Sequence, residues 1–563
     1  MLFLPLLKSL KPHRLKSKSF FTVLGILIVN IVGSWLYFRL DLTEEKRYSL
    51  SEASIILAEQ LESPLIIDVY LDGEGLPGGW ERLKKATAET LEELKYHGGE
   101  KLQYQFINIE EIGDEDAKAA LLDTLFNQGV QPTNILDRQG GKKTENLVFP
   151  YARLRYENKE QIVLLLKANA SLSPEEKLNQ SAENLEYSFA TAIKNLTIRE
   201  KKKIGLLTEF TALKPINFSG MINSLQSYYN LYILDTKASE SFAGLDGIIL
   251  PKPDYPLDDS TKFKIDQFII HGGKALFFVD GLKIDSIGLN GSFAQVLDLG
   301  LDDMFFKYGV KVNKDLVKDG LSSAKVPLVV GQMGDKPQIE PVPYPYFPLL
   351  NNFGKSTITK NLDMVYTRFS STIDTVAVPR IKKTPLLKTS NYTKVSQAPA
   401  LVTYDVARIE TNKESYNDGE KVVAYLLEGS FTSLFKNQIL PQDSRIEYFK
   451  AEGDPSKIIV CSDGDLIVND VDRRTNEPLD LGFDRIDQHK YGNEDFLMNA
   501  VAYLIDEEGV ISAKNKEVKL RPLDEVKVRE KRSSMVILAL LVPSVLIILF
   551  GLIQNYFWKK KYN

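Results

Sequence analysis

The sequence predicts an α/β protein whose folded body is carried between two membrane-spanning helices. Three observations predict it. Two uncharged apolar runs, Phe20 to Phe38 and Met535 to Ile553, stand at opposite ends of the 563-residue chain. As helices they are about 28 Å long, the depth of a bilayer's hydrocarbon core. Residues 64–196 carry the pattern β-α-β-α-β-β-α. From residue 203 on, short continuous apolar strands alternate with amphipathic helices, as in a parallel sheet covered on both faces.

Composition bounds the rest. A chain that is 44% hydrophobic and 26% charged is an ordinary folded protein, and its length predicts two or three domains. A net charge of −5 gives no basis for nucleic-acid binding. Cys461 is the single cysteine, so no disulfide within the chain is possible. Histidines are limited to His13, His97, His271 and His489, which weakens any histidine-based site.

The first apolar run is too long for a signal-peptide core and lacks a small-x-small cleavage site, so it predicts an uncleaved anchor. Lys8, Lys11, Arg14, Lys16 and Lys18 precede it, against Arg39, Lys46 and Arg47 after it. The excess of positive charge places the N-terminus in the cytoplasm. Two spans return the C-terminus there and leave a large extracytoplasmic loop. The second run contains Pro543, a predicted kink. Neither run holds a charge, so two such spans form no permeation path of their own. Asn30, Gly33 and Ser34 make a small polar patch that would pack on a neighbouring membrane helix. The expected layout is a cytoplasmic tail (1–19), a span (20–38), a first domain (39–200), a second (201–515), a linker (516–534), a span (535–557) and a cytoplasmic tail (558–563).

Within the first domain, Ser49 to Glu52 fits a capping box opening a helix to Leu61. Strands are expected at 64–71 and 102–109, helices at 80–96 and 115–126. A hairpin is expected at 147–156 and 161–166, then a long helix at 173–196. That order is the order of a thioredoxin-like domain, and Pro150 falls where that fold often carries a cis proline. The loop Asp72 to Gly79, where the redox motif would lie, has no cysteine. The fold would be used as a shape.

Arg199 to Lys203 is a solvated linker. Strands follow at 203–208, 232–234, 247–250 and 274–280, with helices at 221–229 and 258–271. A later strand, 457–461, carries Cys461, and a helix at 493–505 would cover the same sheet. This is a doubly wound domain of the kind amidotransferases use. Between these parts the chain reads as irregular. Pro341, Pro343, Pro345 and Pro348, interleaved with Tyr344, Tyr346 and Phe347, predict an ordered, aromatic-anchored crossing loop rather than a polyproline ligand.

No constellation assigns a catalytic, cofactor or metal residue. Gly354, Lys355 and Ser356 approach a phosphate-binding loop, but its first glycine would be residue 349, which is Leu349. Cys461 at a strand end suggests a nucleophile, yet it lacks a histidine tied to it; a small buried residue is the expectation. Asp463, Asp465, Asp470 and Asp472 crowd a strand end without the spacing of a calcium loop, so turn formation is expected. His271, before Gly272 and Gly273, reads as a helix C-cap.

Several stretches, in order, resemble the GldG family, the gliding-motility-associated ABC transporter auxiliary proteins of the Bacteroidetes, often called substrate-binding. They are Arg39 to Ser51, Asn179 to Tyr187, Ile265 to Lys274, Phe306 to Val310, Leu426 to Phe431, Cys461 to Asp465 and Tyr491 to Phe496. The chain departs from the family at Asn352 to Ile358, where a His-Pro pair is expected. The resemblance implies a non-enzymatic inner-membrane subunit with a periplasmic body. It also implies a separate permease and a separate ATP-binding subunit. Two other classes compete with it. A structural module would bind a periplasmic protein or a glycan such as peptidoglycan, and a divergent envelope hydrolase would rest on Cys461 and Asp463. A polar cleft between the domains would favour ligand capture; a flat apolar patch would favour a protein partner.

Overall fold

The computed structural model describes residue 25 and residues 49–562, apart from 74–75, 128–129, 131, 140–141, 168, 285, 289, 410–411, 439–447, 507–508 and 516–524. Apart from Gly25, the expected first span, with its polar patch and the exit segment to Tyr48, therefore lies outside the described residues. The chain divides into two compact units, one through residue 516 and one from 517 onward.

The first unit has two lobes. Its first lobe starts with helix α1 (Glu52–Glu59), capped by Ser51, whose side chain accepts from the Ser54 amide. Strand β1 (Leu65–Val69), helix α2 (Gly78–Gly98), strand β2 (Leu102–Phe106) and helix α3 (Glu115–Asn127) follow. Next come β3 (Thr133–Gln139) and β4 (Lys142–Val148), a separate two-stranded hairpin. The alternation at 147–156 had suggested one strand there. In the structure the chain breaks at Pro150, whose missing amide hydrogen ends the ladder, and a new strand starts. Strands β5 (Tyr151–Tyr156) and β6 (Lys159–Leu164) precede helix α4 (Pro174–Thr197). The sheet order is β2-β1-β5-β6, with β1 parallel to β2 and the other pairs antiparallel. The one cis peptide among the described residues is Ala398–Pro399, not the bond at Pro150.

Helix α4 has a full capping box, Ser173 with Glu176, and Pro174 at its first turn. Leu178, Leu185, Phe189, Ile193 and Leu196 face the lobe's core, with Leu65, Ile67 and Leu154 from the sheet.

The second lobe is built on β7 (Lys203–Leu206), α5 (Ser219–Gln226), β8 (Asn230–Ile233), β9 (Gly247–Pro251), α6 (Asp259–Ile270), β10 (Lys274–Phe278) and α7 (Asp302–Tyr308). It continues with β11 (Ser323–Met333), β12 (Lys336–Leu350), β13 (Asn352–Phe353), β14 (Ile381–Lys388), β15 (Val422–Thr432), β16 (Glu452–Cys461) and α8 (Asn493–Ile505). The main sheet has the order β13-β14-β15-β16-β10-β9-β7-β8. Only β16, β10, β9, β7 and β8 run parallel; β15, β14 and β13 add an antiparallel half. Successive residues of one strand serve opposite cores. Ile248 and Leu250 pack with Phe263, Ile269 and Phe305 of α6 and α7. Ile249 packs with Met221, Phe496 and Leu497 of α5 and α8.

The expected crossing loop is instead strand β12, paired with β11 in a long hairpin. The aromatic anchors are correct in kind: Tyr344 and Tyr346 are buried. Pro341 faces Pro327 across the ladder and Pro343 faces Lys325. A proline cannot donate, so these are non-hydrogen-bonded positions, and every second residue leaves one edge without donors.

The second unit is α9 (Glu525–Tyr562), continuous through Pro543, with Val536–Asn555 long and apolar enough to cross a membrane. The expected linker 516–534 is thus helical from Glu525.

Candidate functional site

A cleft of about 720 Å³ opens between the two lobes, within the usual size of small-molecule sites. Its first wall is β6 with the outward face of α4. Tyr187, Thr191, Lys194, Asn195 and Ile198 recur at helical spacing, opposite the stripe that fills the core. The second wall is α8, with Asp495, Met498, Asn499 and Ala502, together with Tyr228, Tyr229 and the loop at 478–481. Val510 and Ile511, just beyond α8, close one side.

The walls are tied together around this space. Lys167 Nζ lies 3.6 Å from Asp495, and Lys194 pairs with Asp506. Lys490 bridges Glu494 at 2.6 Å and Asp480 at 3.4 Å. Away from the open space, the Asn169 side chain donates to the Leu362 carbonyl at 3.1 Å, and the Ala170 amide to Asp363 at 3.0 Å. These lysines and carboxylates compensate one another. Hydroxyls and amides line the rest, several of them bonded within the walls: the Ser224 hydroxyl donates to Glu494 and the Asn195 amide donates to Gln161, while Met498 and Ala502 give apolar surface.

Asp495 faces the cleft, with 49% of its side chain open. The Lys167 charge, with Lys514 and Lys490, holds its carboxyl below the usual range. Burial pushes the Tyr187, Tyr228 and Tyr229 hydroxyls upward, so all three stay protonated donors. Asn499 sits at the floor. Its amide donates to the Ile358 carbonyl at 2.9 Å, and its oxygen accepts from Lys514 Nζ at 2.7 Å.

The residues singled out in the sequence lie elsewhere, at the strand ends of the main sheet. Cys461 is fully buried in β16, its sulfur 3.7 Å from the Asp463 carbonyl oxygen. Burial, with the nearby Asp463, drives its thiol far up. His489 is held by Asp363 at 2.6 Å. Among the described residues, the structure thus brings no histidine to Cys461. Native full-length protein is expected to leave Cys461 unmodified by a thiol reagent over hours and to react within minutes in denaturant. Rapid native labelling, read by mass spectrometry, would show the buried-thiol reading wrong.

The aspartates divide by role. Asp470 takes a two-pronged contact from Arg368 at 3.0 and 2.8 Å. Asp472 caps a turn through the Arg474 amide at 2.7 Å. Asp463 accepts from the Leu466 amide and from Ser370, as expected of a turn former. Asp280, Asp463 and Asp465 bring one oxygen each within 4.8 Å of one another. Lys252 Nζ enters this group, 2.6 Å from Asp280 and 2.8 Å from Asp465. Its ammonium supplies the compensating charge that a cation would. Burial would lower the Lys252 pKa, but the two carboxylates win and hold it raised.

Gly354 to Ser356 forms a turn after β13, with the Gly354 amide bonded to the Leu386 carbonyl rather than free for a phosphate. His271 caps α6 as expected, its Nδ1 2.8 Å from the Gln267 carbonyl oxygen.

Sequence reasoning did not single out Tyr187, Asn499, Lys514 or Lys252. A polar stripe opposite the apolar one on α4 was the available signal for Tyr187. Lys514 stands in a charged stretch that looks like linker.

Comparison with known proteins completes the picture. The family model described as an ABC-type uncharacterized transport system matches residues 201–500, and one for a domain of unknown function matches residues 44–155. An uncharacterized protein of Borreliella burgdorferi is 21% identical over 435 residues, covering 74% of this chain and 77% of that protein. The solved mmIFT52 N-terminal domain aligns over 54% of this chain and 98% of its own, at 12% identity and a TM-score of 0.30, too low to bear on the fold. The first of these matches takes in more than half of the sequence and all of the main sheet's parallel half. The chain belongs to the family of auxiliary components of ABC-type transport systems.

Proposed function

We propose that this chain is a non-enzymatic, two-pass inner-membrane subunit of an ABC transporter linked to gliding motility and its associated secretion. Its body would stand in the periplasm and take a polar ligand of little net charge into the interlobe cleft. A separate permease and a separate ATPase would supply the channel and the energy. The observation that carries this reading is the cleft itself, whose lysines pair with carboxylates and whose lining adds hydroxyls, amides and apolar surface. It favours ligand capture over a flat docking face. The sheet order β2-β1-β5-β6 supports a thioredoxin-like first lobe used as a shape, with no redox cysteines.

The test is affinity purification of the full chain from native membranes in mild detergent. A permease and an ATPase are expected to co-purify. The variant Met498→Trp, which projects a larger ring into the cleft, is expected to leave that assembly intact and to reduce surface spreading of the cells. Recovery as a lone monomer would sink the subunit reading. Normal spreading of the Met498→Trp strain would sink the role of the cleft.

A further inference from the structure

The two edges of the main sheet differ. Strand β13, at one edge, is two residues long and gives way to the Gly354 turn. Strand β8, at the other edge, is hydrogen-bonded to β7 alone and packs besides only on α5. Its outer residues are uncovered: Tyr232 is 45% exposed and Ile233 74%.

Nothing guards this edge. From Tyr228 to Leu234 the chain reads Tyr-Tyr-Asn-Leu-Tyr-Ile-Leu, with no charge and no proline. Edge strands usually carry one or the other, because a row of free amides and carbonyls is a template for a further strand. Strand β11, the edge of the long hairpin, has both, in Lys325 and Pro327.

The parallel register with β7 fixes which groups are free. The Asn230 amide donates to the Lys202 carbonyl at 2.9 Å, and the Leu234 amide to the Leu206 carbonyl at 3.0 Å. Backbone groups alternate in direction along a strand, so Asn230, Tyr232 and Leu234 face β7. The amides and carbonyls of Leu231 and Ile233 therefore point out of the sheet, and among the described residues they meet no partner.

We propose that this edge joins a second copy of the chain, β8 against β8, as an antiparallel pair centred on Tyr232 that continues the sheet across a twofold axis. The spacing of the free groups suits this occupant. Leu231 of each copy falls opposite Ile233 of the other, and both amides and both carbonyls of each pair are used. Tyr232 then faces Tyr232 at the non-hydrogen-bonded position on one face of the sheet, and Leu231 covers Ile233 on the other. A twofold contact also needs a patch that complements itself. The charges around β8 meet that need. At its start, Lys201, Lys202 and Lys203 outweigh Glu200 and Asp246, and Lys201 Nζ donates to the Ser227 carbonyl at 2.8 Å. At its end, Glu209, Asp235 and Glu240 outweigh Lys237 and Lys264, and Glu209 accepts from the Thr236 amide at 3.0 Å. Antiparallel pairing sets the basic end of each copy against the acidic end of the other.

The test starts with Tyr232→Cys in the full chain, exposed to a mild oxidant in native membranes. Non-hydrogen-bonded antiparallel partners have Cα atoms about 4.5 Å apart, within the span of a disulfide. Cys461 is buried and takes no part. A disulfide-linked dimer is expected in at least tenfold higher yield than from Lys382→Cys, an exposed position on β14 toward the sheet's other edge. Light scattering of the wild-type chain in detergent is expected to show a concentration-dependent dimer. Ile233→Lys, which places a charge on the edge, should raise its dissociation constant at least tenfold and leave thermal unfolding as in wild type. If Ile233→Lys fails to fold, the Tyr232→Cys yield still decides. A Tyr232→Cys yield no higher than that of Lys382→Cys overturns the proposal. So does a dimer that a folded Ile233→Lys leaves intact, since another surface then holds it. Capture of a different protein by Tyr232→Cys overturns the second copy as occupant and gives the edge to a partner's strand.

Discussion

Replacing Lys252 with Met is expected to destabilise the second lobe by about 3–5 kcal/mol, the usual cost of leaving a buried charge without its partner. The reason is local. Lys252 follows β9 and lies against the ends of β10 and β16, where Asp280 and Asp465 both bond its ammonium. Asp280 is 9% exposed and also accepts from the Gly464 amide at 2.7 Å. Gly464 presses on the lysine stem so closely that an added Cβ would stand 2.6 Å from Lys252 Cγ. Met fills the space of that stem but leaves the carboxylates facing one another. Thermal unfolding of the full chain in detergent reads the loss. Adding Asp280→Asn to Lys252→Met should recover part of it, because one of the stranded charges is removed. The loss should also shrink as pH falls, since burial already raises the Asp280 pKa and its protonation relieves the repulsion. A Lys252→Met protein as stable as wild type at pH 7 would show that the cluster is not held by this lysine.

Gly354→Ala is the second large effect, expected to cost about 3 kcal/mol through overpacking that no rotamer can relieve. A Cβ at this position would stand 1.7 Å from the Pro385 carbonyl oxygen, a backbone atom of β14. The strand would have to move, and with it the pairing of Phe353 with Leu387. The same experiment separates two accounts of this glycine. As part of a phosphate loop it would be needed for nucleotide binding with little effect on folding. Packed against β14, it is needed for stability. Unchanged thermal unfolding in Gly354→Ala would refute the packing account.

Local patterns were legible wherever a segment's environment follows from its own periodicity. The run Gly247 to Leu250 is apolar without alternation because both faces of its sheet are covered, and it is a central strand. Asn493 to Ile505 alternates at helical spacing and is a helix over those residues. The turn chemistry around Asp463 and the C-cap at His271 were also readable, since each rests on neighbours within a few residues. The segment 323–350 was not readable as a hairpin. Its prolines argue against a strand one residue at a time. They are tolerated only because the pairing register puts them at non-hydrogen-bonded positions, and register is a property of two segments together. The break at Pro150 had the opposite fate, since alternation across it continued while the ladder did not.

The sequence alone determined the membrane-length apolar runs, the β/α alternation, the lack of disulfides and the lack of a complete nucleotide loop. Each is a matter of residue type and spacing along one stretch. The cleft was decided only by tertiary structure, for a physical reason. Its walls come from residues 161–202, 220–229 and 478–511, and none of these segments carries a polar constellation by itself. Nothing in its local sequence marks Lys514, yet its amine rests on Tyr187, far back in the chain, and on Asn499. Likewise Lys252 and Asp465 are separated by 213 residues and share one ion pair. Burial and charge pairing are set by what the fold brings within about 4 Å, and chain order does not encode that distance.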